Sequence, residues 1–109
     1  KTNKGEHHHT HSHANSILSG VLYLNTINKD GIVLYSPHRP RIDISRDNNT
    51  RDYNNLNIIV KNGDLVLFPS TLMHSVKTNT SDEERISLAF NSFIKGTVST
   101  SPLNQLNLE

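Results

Sequence analysis

Short runs of β-branched, leucine and aromatic residues recur along this chain, separated by turn-forming residues, which is the pattern of strands rather than of helices. The first run is Ile17-Leu18-Ser19-Gly20-Val21-Leu22-Tyr23-Leu24. A turn over Asn28-Lys29-Asp30-Gly31 follows, with Gly31 suited to positive φ. Ile32 to Ser36 is the second run, stopped by Pro37 and Pro40, and residues 41–55 read as a long polar loop. Leu56 to Val60 is the third, and Lys61-Asn62-Gly63-Asp64 reads as a hairpin-like turn into the fourth, Leu65 to Phe68, which Pro69 ends. Met73 to Lys77 and Arg85 to Ile94 complete the set. In the last, Ile86, Leu88 and Phe90 alternate with Ser87, Ala89 and Asn91, the period of a half-buried strand, so Arg85 and Ser87 should share the face away from the apolar three. Helical signals are weak. Ser81-Asp82-Glu83-Glu84 could cap one turn, and 102–109 is polar with scattered Leu. Six strands with irregular loops predict an all-β sandwich or barrel.

At 109 residues the chain is sized for one domain, able to bury roughly 65% of its unfolded surface. The hydrophobic fraction of 33% is lean, but residues 1–15 and 37–55 are almost wholly polar while 17–36 and 56–94 hold nearly all the apolar side chains. No apolar run approaches the ~20 residues of a membrane span, and no apolar stretch with a small-residue cleavage site opens the chain. Without Cys there is no disulfide framework, thiolate metal site or cysteine nucleophile. A formal charge of +1 is too balanced for a dedicated nucleic-acid binder. The expected partners are therefore neither nucleic acid nor membrane, and the expected compartment is the cytoplasm.

Seven histidines stand at 7, 8, 9, 11, 13, 38 and 74. Five lie in Glu6-His7-His8-His9-Thr10-His11-Ser12-His13, which taken alone could be a solvated or adventitiously metal-binding tract. His11 and His13, however, immediately precede the first apolar run. If strand geometry extends back through them, their imidazoles project to one face and make half a metal site. His74, set within Leu72-Met73-His74-Ser75-Val76, is the natural third ligand, though a lone His among apolar residues is also an ordinary core residue. Arg85-Ile86-Ser87 places a guanidinium fork beside a hydroxyl, a pairing suited to gripping a small carboxylate, while an isolated triplet could equally be a plain edge strand.

Taken in order, three blocks resemble a known family: His11-x-His13-x-Asn15-Ser16-x-Leu18-Ser19-Gly20-Val21-x-Tyr23-Leu24; Gly63-Asp64-Leu65-Val66-Leu67-Phe68-Pro69-Ser70-x-Leu72-x-His74-x-Val76; and Arg85-Ile86-Ser87-x-x-Phe90-Asn91. The sequence resembles the iron(II)- and 2-oxoglutarate-dependent oxygenases over residues 11–96. Within them it is closest to a branch of bacteria and tailed phages related to the prolyl hydroxylases. The resemblance implies a double-stranded β-helix, the cupin-like jelly roll, over 11–96, between a polar His-rich segment at 1–10 and a polar tail at 97–109. Family domains carry supporting strands and a helix upstream of the first metal histidine, and this chain begins ten residues before His11.

The same resemblance implies that His11 and His74 bind Fe(II), and that Arg85 pairs with the distal carboxylate of 2-oxoglutarate, helped by Ser87 and the Tyr23 hydroxyl. With dioxygen as co-reactant, the cosubstrate would be decarboxylated to succinate and CO2 while a substrate C–H bond is hydroxylated. A peptidyl or free amino acid, or another small molecule, is the substrate implied, and the host cytoplasm the setting if the chain is phage-encoded.

One departure concerns the metal. The usual triad has Asp or Glu two residues after the first His, and here that position is His13. Three imidazoles, a carboxylate from elsewhere, or water could complete the site. His9-x-His11 offers an alternative register, but His13 lies six residues before Ser19 as the family pattern has it. The polar loop with His38, Arg39, Arg41, Arg46 and Arg51 against Asp43, Asp47 and Asp52 could border the entrance or be a solvated mixed-charge loop. Two other readings stay open: a cupin-like protein holding metal on His11, His13 and His74 without oxygenase activity, and a structural β-domain with a fortuitous His tract.

Overall fold

A computed structural model describes residues 1–37 and 55–108. All the regular elements among them are strands. Six form where the apolar runs between turn residues predict them: β2 (Leu18–Asn25), β3 (Gly31–Tyr35), β4 (Asn55–Ile59), β5 (Leu65–Pro69), β6 (His74–Val76) and β7 (Ile86–Ser92). Three more complete the count. β1 (His8–His11) comes from the histidine tract, and β8 (Gly96–Val98) pairs with β9 (Leu106–Leu108) in what reads from sequence as a polar tail. The mixed-charge loop with its arginines and His38 lies outside the described residues, apart from Pro37 and Asn55.

One sheet has the order β1-β6-β3-β4 and the other β5-β2-β7, with every pairing antiparallel. From β1 to β2, β2 to β3, β4 to β5, β5 to β6 and β6 to β7, each step of the chain crosses from one sheet to the other. That alternation winds the chain around a shared interior, and the fold is the expected jelly roll. Lys61–Asp64 is a tight turn, with Gly63 at φ 90° and the Asp64 carboxylate accepting from the Lys61 amide at 2.8 Å. It links strands of different sheets, so it is a corner and not a hairpin. Ser81 to Glu84 forms no helical turn; the Ser81 hydroxyl accepts from the Glu83 amide instead.

The left-handed residue before β3 is Lys29, at φ 58°, and not Gly31. Gly31 is needed for another reason: a Cβ there would sit 2.1 Å from the carbonyl oxygen of Ile58 on the neighbouring strand. Gly20 likewise leaves room for the Phe90 ring and the Leu67 side chain, which a Cβ would meet at 2.3 and 2.8 Å.

The apolar core is small. Ile32 and Leu34 of β3 meet Phe68 of β5, with Val21, Ile58, Val66, Leu72 and Val76 packed around them. β7 separates two faces as its alternation predicts. Leu88 and Phe90 face outward, 57% and 41% exposed, alongside Leu65 and Leu67 of β5, whereas Ser87 and Ala89 look inward with the buried Arg85. The expected alternation is present, and the face that carries Ser87 lines a cavity together with Arg85.

Candidate functional site

β1 and β6 pair antiparallel with His11 directly opposite His74, which brings two imidazoles together across one rung. Their ring centroids are 4.4 Å apart. His13 arrives differently from expectation: β1 ends at His11, and His13 lies beyond it in the turn toward β2. Its amide donates to the Ser70 carbonyl at 2.9 Å, and Asn15 at φ 55° then redirects the chain into β2. His13 thus joins the pair by a backbone anchor to the β5–β6 connection, not by strand alternation. Its ring is 5.0 Å from His11 and 5.1 Å from His74.

One potential ligand atom from each of these three rings lies within 4.8 Å of the others, a set that could hold a metal ion. The hydrogen bonds at the back of the rings favour this. His74 Nδ1 donates to the Leu72 carbonyl at 3.0 Å, and His11 Nδ1 donates to the His9 carbonyl at 2.7 Å. A ring whose Nδ1 carries the proton has its lone pair on Nε2, the form a metal requires. Burial holds the His74 pKa below its ordinary value near 6.5; the neighbouring His11, His13 and His8 push the same way, against the opposing pull of the Leu72 carbonyl. Burial, then Arg85, lowers His8 as well.

A pH dependence follows. Groups held neutral by the fold bind protons more readily once unfolded, so the stability they contribute is complete above about pH 6.5 and is lost as pH falls below it. The thermal midpoint of metal-free protein should drop between about pH 7.5 and about pH 5.5, and drop less in a His74→Gln variant. Equal slopes for the two proteins would contradict the assignment to His74.

The other half of the site is Arg85, 3% exposed. Its backbone is fixed by a mutual pair of hydrogen bonds with Thr2, 2.9 and 3.2 Å. Its Nη1 donates to Asp30 Oδ1 at 3.1 Å and to the Lys77 carbonyl at 3.3 Å, and the same carboxylate oxygen accepts from the Gly31 amide at 2.8 Å. The Asp30 side chain is 1% exposed, so this is a buried ion pair. Asp30 was legible only as a turn residue. The signal that would have found it is physical: a buried guanidinium in so small a core needs a carboxylate.

Three buried polar atoms here have no partner: Arg85 Nη2, Tyr23 Oη and Asp30 Oδ2. Burial chiefly, with the charge of Asp30 against that of Arg85, pushes the Tyr23 pKa up to about 12, so the phenol stays a donor at neutral pH. Ser87 stands opposite Tyr23 in the β2–β7 register. A cavity of about 320 Å³ reaches all of these groups: His11, His13 and His74 line it, and so do Tyr23, Arg85 and Ser87. The six residues expected from sequence thus border one space. What the arrangement offers chemically is a trio of neutral nitrogen donors and, in the same cavity, two buried hydrogen-bond donors free for an anion.

Residues 1–91 match the family described as "Putative 2OG-Fe(II) oxygenase". No protein of curated function matches the chain.

Proposed function

The chain belongs to the 2OG-Fe(II) oxygenase family, and from that premise we propose that it is an Fe(II)- and 2-oxoglutarate-dependent dioxygenase hydroxylating a peptidyl or free amino acid. The observation that carries this reading is the shared cavity, with a three-imidazole cluster and the unpartnered donors Arg85 Nη2 and Tyr23 Oη around it. A protein that only held metal would have no use for the second set.

His11, His13 and His74 are the residues that would hold the iron, and the proton already placed on Nδ1 of His11 and His74 suits them to it. Iron held there would supply, with dioxygen and 2-oxoglutarate, the oxidising chemistry that hydroxylates a substrate C–H bond and yields succinate and CO2. The chain's own residues bind and orient. Arg85 offers Nη2 to the cosubstrate carboxylate, and Asp30 holds the guanidinium from the other side so that this nitrogen stays aimed. Tyr23 adds a protonated hydroxyl, and Ser87 a second. Charge-assisted hydrogen bonds of this kind are strong where water is excluded. A set of three neutral ligands carries one negative charge fewer than the usual two histidines and a carboxylate, so more of the metal's charge falls to the cosubstrate to balance.

The test is an anaerobic titration of Fe(II)-loaded protein with 2-oxoglutarate, followed by the visible charge-transfer band of the chelate. The band should saturate at one equivalent. Tyr23→Phe should weaken 2-oxoglutarate binding on the order of 10-fold or more, as expected for losing a hydrogen bond to a charged group worth about 1.5–3 kcal/mol. Its thermal midpoint should hold or rise, because the hydroxyl it removes is buried without a partner. Metal bound without any band would favour the cupin-like metal-binding alternative.

A further inference from the structure

The outer face of the β5-β2-β7 sheet carries successive rungs without a charge. Leu65, Leu22 and Leu88 stand abreast on one, Leu67, Gly20 and Phe90 on the next, and Pro69, Leu18 and Ser92 on the one after. Leu65, Leu67 and Leu88 are each more than half exposed, and Leu18 and Phe90 are exposed as well. A sheet with an apolar face buries it against another layer. Among the described residues no layer covers this one.

A second apolar surface lies near the end of the chain. β8 and β9 pair with each other and touch no other strand. Phe93 and Ile94 on the way into β8, Leu103 between the strands and Leu106 in β9 are all exposed, Leu103 to 92%. A lone two-stranded hairpin is marginal in water and needs packing to persist. This arm lies outside the family match, which ends at residue 91.

Each surface lacks what the other offers, and the strands that carry them do not meet within one copy. We propose that they meet between copies: the β8–β9 arm of one chain packs across the outer β5-β2-β7 face of a second, whose arm returns the contact in a closed two-fold pair. The size fits. Together the exposed side chains leave on the order of 1,000 Å² of apolar surface per copy, beyond the ~300–600 Å² of the largest patch on a typical monomer and enough for the ~800 Å² per partner of a stable interface. The charge fits as well. The rungs hold no ionisable side chain, and Lys95 is the sole one among residues 93–108, so identical surfaces approach without like-charge repulsion. Reciprocal contact closes the assembly at two copies. Tyr23 and Ser87 line the cavity from the other side of the same strands, so the second copy backs that wall with protein in place of water.

Sedimentation equilibrium of the full chain reads the mass directly. A two-chain mass should be reached by about 100 µM, where a micromolar Kd leaves mostly pairs. Leu67→Lys on the face and Leu103→Lys on the arm each change an exposed side chain, so the core is untouched. Each should weaken pairing on the order of 100-fold or more, since a two-fold pair meets the new charge twice. Mixed together, the two variants still offer one sound arm to one sound face, and pairs should form again. Wild type that stays monomeric overturns the proposal and leaves the face to a partner of another kind. So does a dimer that either substitution leaves intact, a mass that keeps growing past two chains, or two variants that stay single when mixed. The mass is read without metal or cosubstrate, so the outcome is separate from that of the proposed activity.

Discussion

Replacing His74 by Ala should remove stoichiometric metal binding, lowering affinity by more than the ~10–100-fold that outer-shell losses cost. His74 is the one buried member of the histidine cluster. It faces His11 across a strand rung, and its proton is committed to the Leu72 carbonyl. Without it, His11 and His13 are left as two ligands on one edge, and the tract around them keeps only the weak affinity of any solvated polyhistidine. Isothermal titration with Zn(II), or anaerobic titration with Fe(II), reads the loss directly. His9→Ala is the companion, because His9-x-His11 is the competing register and the His9 ring lies 5.4 Å from His11. Its affinity should stay within a few-fold of wild type. A large loss with His9→Ala and none with His74→Ala would make the binding a property of the tract. Deleting residues 1–9 is a poorer test, since Thr2 is bonded to the backbone of Arg85 and β1 would lose half its length.

Replacing Asp30 by Ala should destabilise the protein by about 3–5 kcal/mol, the range for leaving one member of a buried ion pair without the other. Against a typical total of about 5–15 kcal/mol, that is enough to bring a small domain near its unfolding threshold. The carboxylate is the charged partner of Arg85 and also receives the Gly31 amide at the start of β3, so its loss leaves a buried guanidinium without a counter-charge and an amide without its acceptor. Urea unfolding with linear extrapolation measures the change. The paired variant Asp30→Leu with Arg85→Met separates stability from binding: it should regain much of the lost stability, because no buried charge remains, while failing to bind 2-oxoglutarate. Recovery of cosubstrate binding in that pair would remove Arg85 from the proposed function.

Much of this was legible in the chain. Short apolar runs bounded by turn residues located six strands, and in the last of them period-two alternation separated the two faces. The ligand candidates were legible for a similar reason: His11, His13 and His74 flank strand ends where a barrel opens. What sequence left hidden depends on tertiary context. Alternation in β7 separates Ser87 from Leu88 and Phe90 without saying which face is interior, and it is Leu88 and Phe90 that are exposed. His13 reaches its neighbours through the Ser70 carbonyl and the left-handed Asn15, contacts that join distant parts of the chain. Asp30 looked like any turn aspartate, and only the burial of Arg85 marks it as a partner. Ser16, Ser19 and Ser70 were in view as letters of a motif, while the hydrogen bonds that join their hydroxyls exist only in three dimensions.

The pairing of β1 with β6 has a consequence for the polymer as well as for the site. His11 and His74 are 63 positions apart, so an ion gripping both would tie the start of the chain to its middle. Such a tie restricts the wandering of the unfolded chain in the manner of a disulfide, and for a ring of that length the entropic effect is on the order of 4 kcal/mol. In a chain without cysteine, an ion held there would act as a clasp between distant parts of the fold, and its supply would then bear on how long the molecule lasts as well as on whether it works.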